Sequence, residues 1–544
     1  MVETVENNTL LKALKIFERD PVLRSIYVLR DELSGDCRTP TEEEAGFFLL
    51  WAAINGRRRY HGIVIDSDFF RYLSEPAGRY LTRLELFAAT VADKLSLPTP
   101  MLHEWYYEQG VPEFGLAPFV THSEIRSFRA LSEGVISPGE CIGHATARVE
   151  AGEVIDVVEG FKAEQQAGNA RIGVNLIGYA EGVFGIGEDI RCLAAVLRHA
   201  DVPFCIYNVE LSETRATSAP SALASLFVDR PVFPINVFCM TAFETERLRI
   251  ERGADLFAHR YNIGYWPWEL STVPQYWRHA FDAMDEIWAI SHFVARVFAR
   301  ATTRPVRFMP PYVGVEAVAP FARATANFSA ADFVFLTMFD FNSYIARKNP
   351  LGAIAAFQAA FPDRFGNERL LIKSINGHVH PDAFHRVLAR IGDDDRIALL
   401  DGPMSRAEVC GLIADIDCFV SLHRSEGFGR IIAEAMYLGT PVIATDYSGS
   451  TSFLDAATGF TVDYRLVEVE SGAYIFSDGS QWAEPDLAGA VDHLRRVRSD
   501  GNAVLRKIEA ARRQIVRLHG LDAVTAAVGA RLDALRHELS AGQA

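Results

Sequence analysis

The sequence holds no Cys-x-x-Cys pair. Its seven cysteines, Cys37, Cys141, Cys192, Cys205, Cys239, Cys410 and Cys418, are odd in number and widely spaced, which excludes a disulfide framework and predicts reduced, buried thiols. Basic charge is not in excess: 54 Lys and Arg face 70 Asp and Glu, a net charge of −16. The molecule as a whole therefore repels phosphate backbones, and nucleic acid is not expected as a partner. The clusters Arg57, Arg58, Arg59 and Arg495, Arg496, Arg498 read as solvated faces. Fifteen histidines include no H-E-x-x-H or comparable spacing, so no metal is expected. The longest uninterrupted apolar run, residues 47–54, falls far below the ~20 residues that span a bilayer. The acidic start Met1-Val-Glu-Thr-Val-Glu lacks the basic-then-apolar order of an export signal. A cytoplasmic protein follows as the expectation, with peripheral contact at the inner membrane face as the most a membrane could claim.

What is present is enough apolar material for several cores: 544 residues, 49% hydrophobic and 23% charged, or about three domains at ordinary domain size. Residues 1–168 show apolar spacings of three and four, as in Leu10/Leu14/Phe17 and Leu84/Phe87/Val91/Leu95, which predict a helical domain. Thr41-Glu42-Glu43-Glu44 reads as a helix start. Turn chemistry stands at Ser34-Gly35-Asp36, Thr39-Pro40 and Ser137-Pro138-Gly139, and a boundary at 150–168. Beyond it, short apolar runs alternate with helical stretches. The runs are 171–178, 204–209, 235–240, 261–266, 287–290 and 307–309, then 333–339, 370–375, 397–400, 418–422, 442–445 and 460–462. Such runs suit parallel strands buried on both faces, giving two successive α/β domains, 169–325 and 326–504, and a helical tail, 505–544. Ligands of such sheets sit beyond the carboxyl ends of the strands.

The densest chemistry there is Ser421-Leu-His-Arg-Ser-Glu426-Gly427-Phe428-Gly429-Arg-Ile-Ile-Ala-Glu434. A strand ending near His423 and a helix opening at Phe428–Gly429 put Glu426 beside unsatisfied helix N–H groups, an anion site. Glu434, eight residues on, falls near the second helical turn, where it could accept two hydrogen bonds from ribose hydroxyls. With Gly439-Thr440-Pro441 after it, this stretch resembles the E-x7-E region of retaining glycosyltransferases of family four, which have the two-domain GT-B fold. The resemblance covers roughly residues 170–500. It implies that Glu426 contacts donor-sugar hydroxyls, that Glu434 holds the ribose, and that the Gly427-Phe428-Gly429 backbone lies against sugar and diphosphate.

A second motif, Phe339-Asp-Phe-Asn342-Ser-Tyr-Ile-Ala-Arg347-Lys348-Asn-Pro350, follows the first strand of the second α/β domain. Lys348 resembles the family's phosphate-binding lysine, a cation that would offset charge growing on the departing diphosphate. The family commonly has an arginine five or six positions earlier; this chain has Asn342-Ser343, which leaves Arg347 or another group to supply the second charge. Lys373 and Asn342 are further donor-side candidates. In the first α/β domain, Gly178-Tyr-Ala-Glu-Gly182-Val-Phe-Gly185-Ile-Gly187 follows the opening strand. Its G-x-x-G-x-G order is not the dinucleotide G-x-G-x-x-G. By the resemblance Gly185 and Gly187 border donor phosphate and acceptor; a tight strand-to-helix turn is the structural alternative. Strand 261–266 leads into Pro267-Trp268-Glu269, where many family members carry a sugar-contacting His-Asp or His-Glu pair. Glu269 and the Trp266/Trp268 pair would take that role, unless the tryptophans are simply buried.

Asp393-Asp394-Asp395 reads as a helix-to-strand turn rather than the metal motif of GT-A transferases. The resemblance thus implies a metal-independent, retaining hexosyltransferase that takes a GDP- or UDP-hexose as co-substrate and a glycan hydroxyl as acceptor, with bacterial surface polysaccharide as the product class. The new bond would form on the face from which the nucleotide leaves. Two alternatives stand beside it: a catalytically weak GT-B-like binding or assembly subunit, and a sugar epimerase or hydrolase of the same fold. Residues 1–168 are left to acceptor binding, a partner, or homo-oligomer contact.

Overall fold

The computed structural model describes residues 12–31, 40–57, 60, 62–120, 173–182, 184–210, 223–274 and 277–541. The expected boundary at 150–168, the turns at 34–36 and 137–139, Arg58, Arg59, Cys37 and Cys141 lie outside them. The chain divides into two compact units, Met1–Gly168 with Glu246–Ala258, and Asn169–Thr245 with His259–Ala544.

The described residues of the first unit are mostly helical. Thr41 and Glu44 form the expected capping box ahead of helix Glu42–Trp51, and Asp66 and Thr82 cap helices Ser67–Ser74 and Arg83–Val91. The amphipathic faces meet in a core holding Phe17, Phe48, Leu49, Phe69, Leu84 and Phe87. Residues 246–258, expected in the neighbouring α/β domain, belong here: Ile250 is buried in this core and its carbonyl accepts the Gly62 N–H at 2.9 Å.

The second unit contains two parallel six-stranded sheets. The first sheet holds β1 (Val174–Gly178), β2 (Phe204–Asn208), β3 (Ile235–Cys239), β4 (Tyr261–Trp266), β5 (Glu286–Ala289) and β6 (Val306–Phe308), in the order β2-β1-β3-β4-β5-β6. The second holds β7 (Phe333–Asp340), β8 (Glu368–Ile375), β9 (Ile397–Asp401), β10 (Cys418–Ser421), β11 (Val442–Thr445) and β12 (Phe460–Val462), in the order β12-β11-β10-β7-β8-β9. Each sequence-predicted strand is present within two or three residues, because apolar runs this short have no solvent face to alternate against. One polar feature threads the first sheet: Asn175, Asn236 and Asn262 sit in register on β1, β3 and β4 and hydrogen-bond side chain to side chain at 2.9 and 2.8 Å.

Two departures bear on function. An antiparallel hairpin, β13 (Tyr464–Glu468) and β14 (Gln481–Pro485), is inserted after β12. Its β13 residues are mostly exposed, so no buried apolar face marks this strand. The tail forms helices Gly501–His519 and Leu521–Ala541. The second of these returns to the first sheet, where Arg531 pairs with the fully buried Glu286 of β5 at 2.6 Å.

Candidate active site

In the second sheet β7 pairs with both β8 and β10, so strand order reverses between β7 and β10. The loops after these two strands carry the site, as expected at a topological switch point. After β7 the chain makes one helical turn, Ile345–Lys348, then Asn349 adopts a left-handed conformation (φ 52°) and caps helix Pro350–Ala360. Asn349 Oδ1 accepts the Gly352 N–H at 3.1 Å, while Nδ2 donates to the Leu422 carbonyl at 2.9 Å. Arg424 fastens the same loop from the β10 side, its N–H donating to the Arg347 carbonyl at 2.8 Å and its guanidinium to the Ala346 carbonyl at 2.6 Å. The two loops are locked, and the basic pair is delivered to Glu426.

Lys348 Nζ donates to Glu426 Oε1 at 2.5 Å, and Arg347 Nη1 donates to Oε2 at 3.1 Å and to the Ser425 carbonyl at 3.0 Å. Arg347 is 4% exposed and Glu426 8%, so water screens little of this charge. The Glu426 backbone is held as well: its N–H donates to Ser448 Oγ and its carbonyl accepts the Gly449 N–H, both at 2.8 Å. Burial alone would raise the Glu426 carboxyl, but Lys348 and then Arg347 outweigh it and hold it at about 2. Lys348 is lowered from the ordinary ammonium range by burial and by Arg347, with Glu426 opposing. Arg347 thus stands with Lys348 as a second cation on Glu426.

Glu434 lies on helix Arg430–Leu438, which opens at Gly429 (φ 90°) and closes at Gly439 (φ 87°), conformations that a side chain resists. It is fully buried, and its two oxygens accept from Arg406 Nη1 at 2.9 Å and Nη2 at 2.6 Å. Burial raises its carboxyl against the pull of Arg406. Arg406 also stands 3.4 Å from Glu188 on helix Gly185–His199 of the first lobe. Arg430 bonds Asp189 of the same helix and the Tyr312 carbonyl. A ribose reaching Glu434 must therefore share it with Arg406 or displace it. Sequence reading missed Arg406, Arg430, Glu188 and Asp189; the one signal was that Glu188-Asp189 follows Gly187 directly.

On the first lobe, Gly187 is required by space, since a Cβ there would stand 2.2 Å from the Gly182 carbonyl oxygen, whereas Gly185 faces open space. Trp266 is a core residue donating to Thr245 Oγ1 at 3.0 Å. Trp268 is buried too, its ring against Trp277 at 4.4 Å and Tyr474 at 6.1 Å, its Nε1 donating to the Thr272 carbonyl at 2.7 Å. Glu269 meets the cluster: its carbonyl accepts from Ser425 Oγ, and its Oε2 accepts from the Tyr474 hydroxyl at 2.9 Å. Gly427 packs under this segment, where a Cβ would stand 3.2 Å from the Trp268 carbonyl oxygen. The Phe428 ring turns inward onto Phe453 and His519 at 4.9 and 5.0 Å, so its side chain is a packing element.

Two donor-side candidates do not join Glu426. Lys373 is buried and donates to the Ser374 carbonyl at 2.7 Å and to that of Gly402. Asn342 is exposed and contacts His380 Nε2 at 2.8 Å. Asp393-Asp394-Asp395 forms the expected turn before β9, with Asp394 paired to Arg396 at 2.7 Å.

Residues 400–469 match the family model described as Glycosyl transferases group 1. The chain is 30% identical over 125 residues to the D-inositol 3-phosphate glycosyltransferase of Nocardia farcinica (strain IFM 10152), 22% of this chain and 25% of that protein. It thus spans about a quarter of the length of the curated relative it matches. A solved sucrose-phosphate synthase from Thermosynechococcus elongatus superposes with a TM-score of 0.50 at 15% identity, covering 68% of this chain and all of that one. The fold is GT-B, and the matched segment supports glycosyl transfer.

Proposed function

We propose that the protein is a retaining hexosyltransferase that uses a UDP- or GDP-hexose and a glycan hydroxyl acceptor, in bacterial surface polysaccharide synthesis on the cytoplasmic side. One observation carries the proposal: Lys348 and Arg347 converge on Glu426 at the switch point of the second sheet, with Glu434 eight residues away on the helix that opens there. The group 1 match, which includes both glutamates, supports the same reaction class.

In this reading the cation pair meets the donor diphosphate and stabilises the charge that develops as the anomeric C–O bond breaks, so a bridging metal is not needed. The Gly427–Gly429 backbone adds N–H donors at the mouth of the helix. Glu426, held ionised, orients sugar hydroxyls, and Glu434 takes the ribose hydroxyls as Arg406 turns aside. The acceptor oxygen attacks the anomeric carbon on the face the nucleotide leaves. The bonding pair departs with the diphosphate, whose oxygen takes the acceptor proton, so no enzymic nucleophile is required.

The test is a panel of UDP- and GDP-hexoses incubated with the full chain, with and without oligosaccharide acceptors, scored for nucleoside diphosphate release and for the anomeric configuration of the product. Acceptor-dependent release with retention is expected. Binding without release would mark an assembly subunit, and sugar product without acceptor a hydrolase or epimerase; either result rejects the proposal.

A further inference from the structure

The inserted hairpin bridges the two lobes. Its base belongs to the second lobe, where the Ala483 N–H donates to the Arg424 carbonyl at 2.9 Å and Glu484 pairs with Arg424 at 2.7 Å. Its far end reaches the first lobe: the Gln481 N–H donates to Ser271 Oγ at 2.9 Å, and the Thr272 and Ser480 hydroxyls lie 2.6 Å apart. Phe476 is buried against Trp277 and Phe243 at 5.4 and 5.3 Å while held at φ 55°, a conformation that tertiary packing must enforce.

Tyr474 stands between these anchors. Its ring lies 5.7 Å from the Arg347 guanidinium, 4.8 Å from the Tyr344 ring and 6.1 Å from Trp268, and its hydroxyl donates to Glu269 Oε2 at 2.9 Å. Tyr344, on the cluster's own loop, is also in a strained conformation (φ 61°, ψ 112°). Glu269 lies in the field of Arg347 and Lys348, as Glu426 does. A donor diphosphate that engages those cations would leave Glu269 less compensated and less fixed in direction. A neutral hydroxyl donor keeps one carboxylate oxygen in place whatever the cations contact, leaving the other to a sugar hydroxyl.

We propose that Tyr474 is a positioning residue for hexosyl transfer: from the hairpin it holds the Glu269 carboxylate against the Arg347–Lys348–Glu426 cluster so that the bound sugar is oriented when the lobes are together. The assignment rests on the transferase reading above. It is tested by pairing calorimetric titration of UDP and GDP with transfer kinetics for the wild type, Tyr474→Phe, Glu269→Gln, their double variant and Thr272→Val.

Tyr474→Phe keeps the ring contacts and loses the hydroxyl. It is expected to bind the bare nucleoside diphosphate within about twofold of wild type and to lose at least tenfold in kcat, a loss the double variant does not deepen beyond that of Glu269→Gln. Thr272→Val, which removes a different hairpin contact, is expected to keep kcat within about twofold. Wild-type kcat in Tyr474→Phe, additive losses in the double variant, or an equal loss in Thr272→Val would each overturn the assignment, the last by making the hairpin a general clamp. A wild type that binds no nucleotide and releases none fails the transferase reading itself, a result visible before any variant is made.

Discussion

At the residue scale, Glu426, Lys348 and Arg347 form one electrostatic unit whose parts fail differently. Lys348→Ala leaves Arg347 on the carboxylate and, in the proposed reaction, removes one of two charges offered to the leaving group. Donors of this kind are worth about 10²–10³-fold in rate, so turnover is expected to fall by that order with nucleotide affinity less affected, as steady-state kinetics would show. In the same reading Glu434→Ala acts on binding: losing an acceptor of charge-assisted hydrogen bonds costs about 1.5–3 kcal/mol, or roughly tenfold or more in nucleotide Kd by calorimetry. The cluster also sets an acid limit. Glu426 is held at about 2, below its ordinary value near 4.3, so its contribution to stability is complete above that value and is lost as pH falls toward 2. The difference in Tm between wild type and Glu426→Gln should stay constant from pH 7 to 5 and shrink below about 4; a gap that widens with acid would refute the pairing. Both glutamates and Lys348 were legible in the sequence because they stand in motifs with glycines and a proline. Arg406 was not, since a single charged residue opening a helix carries no mark of the carboxylate 28 positions away that it binds.

At the scale of elements, the twelve parallel strands could be read because burial on both faces leaves short apolar runs. The hairpin could not, because its first strand is mostly exposed and its docking residues, Tyr474 and Phe476, have significance only against Trp268, Trp277 and Glu269, some two hundred residues earlier. The junction of the two tail helices is a further product of tertiary contact. His519 Nδ1 contacts the Pro311 carbonyl at 2.9 Å and its carbonyl accepts the Val313 N–H at 2.8 Å, so the segment leading from β6 toward β7 and the returning tail are pinned together. Burial pushes the His519 imidazole down to about 4. A histidine depressed on folding is protonated first in the unfolded chain, so stability is lost as pH falls from 6.5 to 4 and then levels off, by about 3 kcal/mol. Calorimetric scans should show the wild type losing that much relative to His519→Asn between those pH values; parallel losses in the two proteins would show that the ring does not titrate there.

At the scale of the whole molecule, the two lobes are joined by charges placed at specific points as well as by the aromatic contacts of the hairpin, Phe476 with Trp277 and Phe243. Arg430 meets Asp189, Arg406 lies near Glu188, and Arg531 of the tail reaches the buried Glu286. Removing one partner of a buried pair costs about 3–5 kcal/mol, and less here, because Arg307 also pairs with Glu286 at 3.1 Å. Arg531→Met is therefore expected to lower Tm markedly while leaving the second-lobe cluster intact, so a nucleoside diphosphate should still raise the variant's Tm. Transfer as proposed requires that cluster to be a diphosphate site. Calorimetric titration of UDP and GDP into the wild type, Lys348→Ala and Glu434→Ala tests it most directly: one of the two nucleotides should bind the wild type and bind Glu434→Ala at least tenfold more weakly. If neither binds the wild type, or if both variants bind as the wild type does, the convergence of Lys348, Arg347 and Glu426 is a structural ion cluster and the functional account is contradicted.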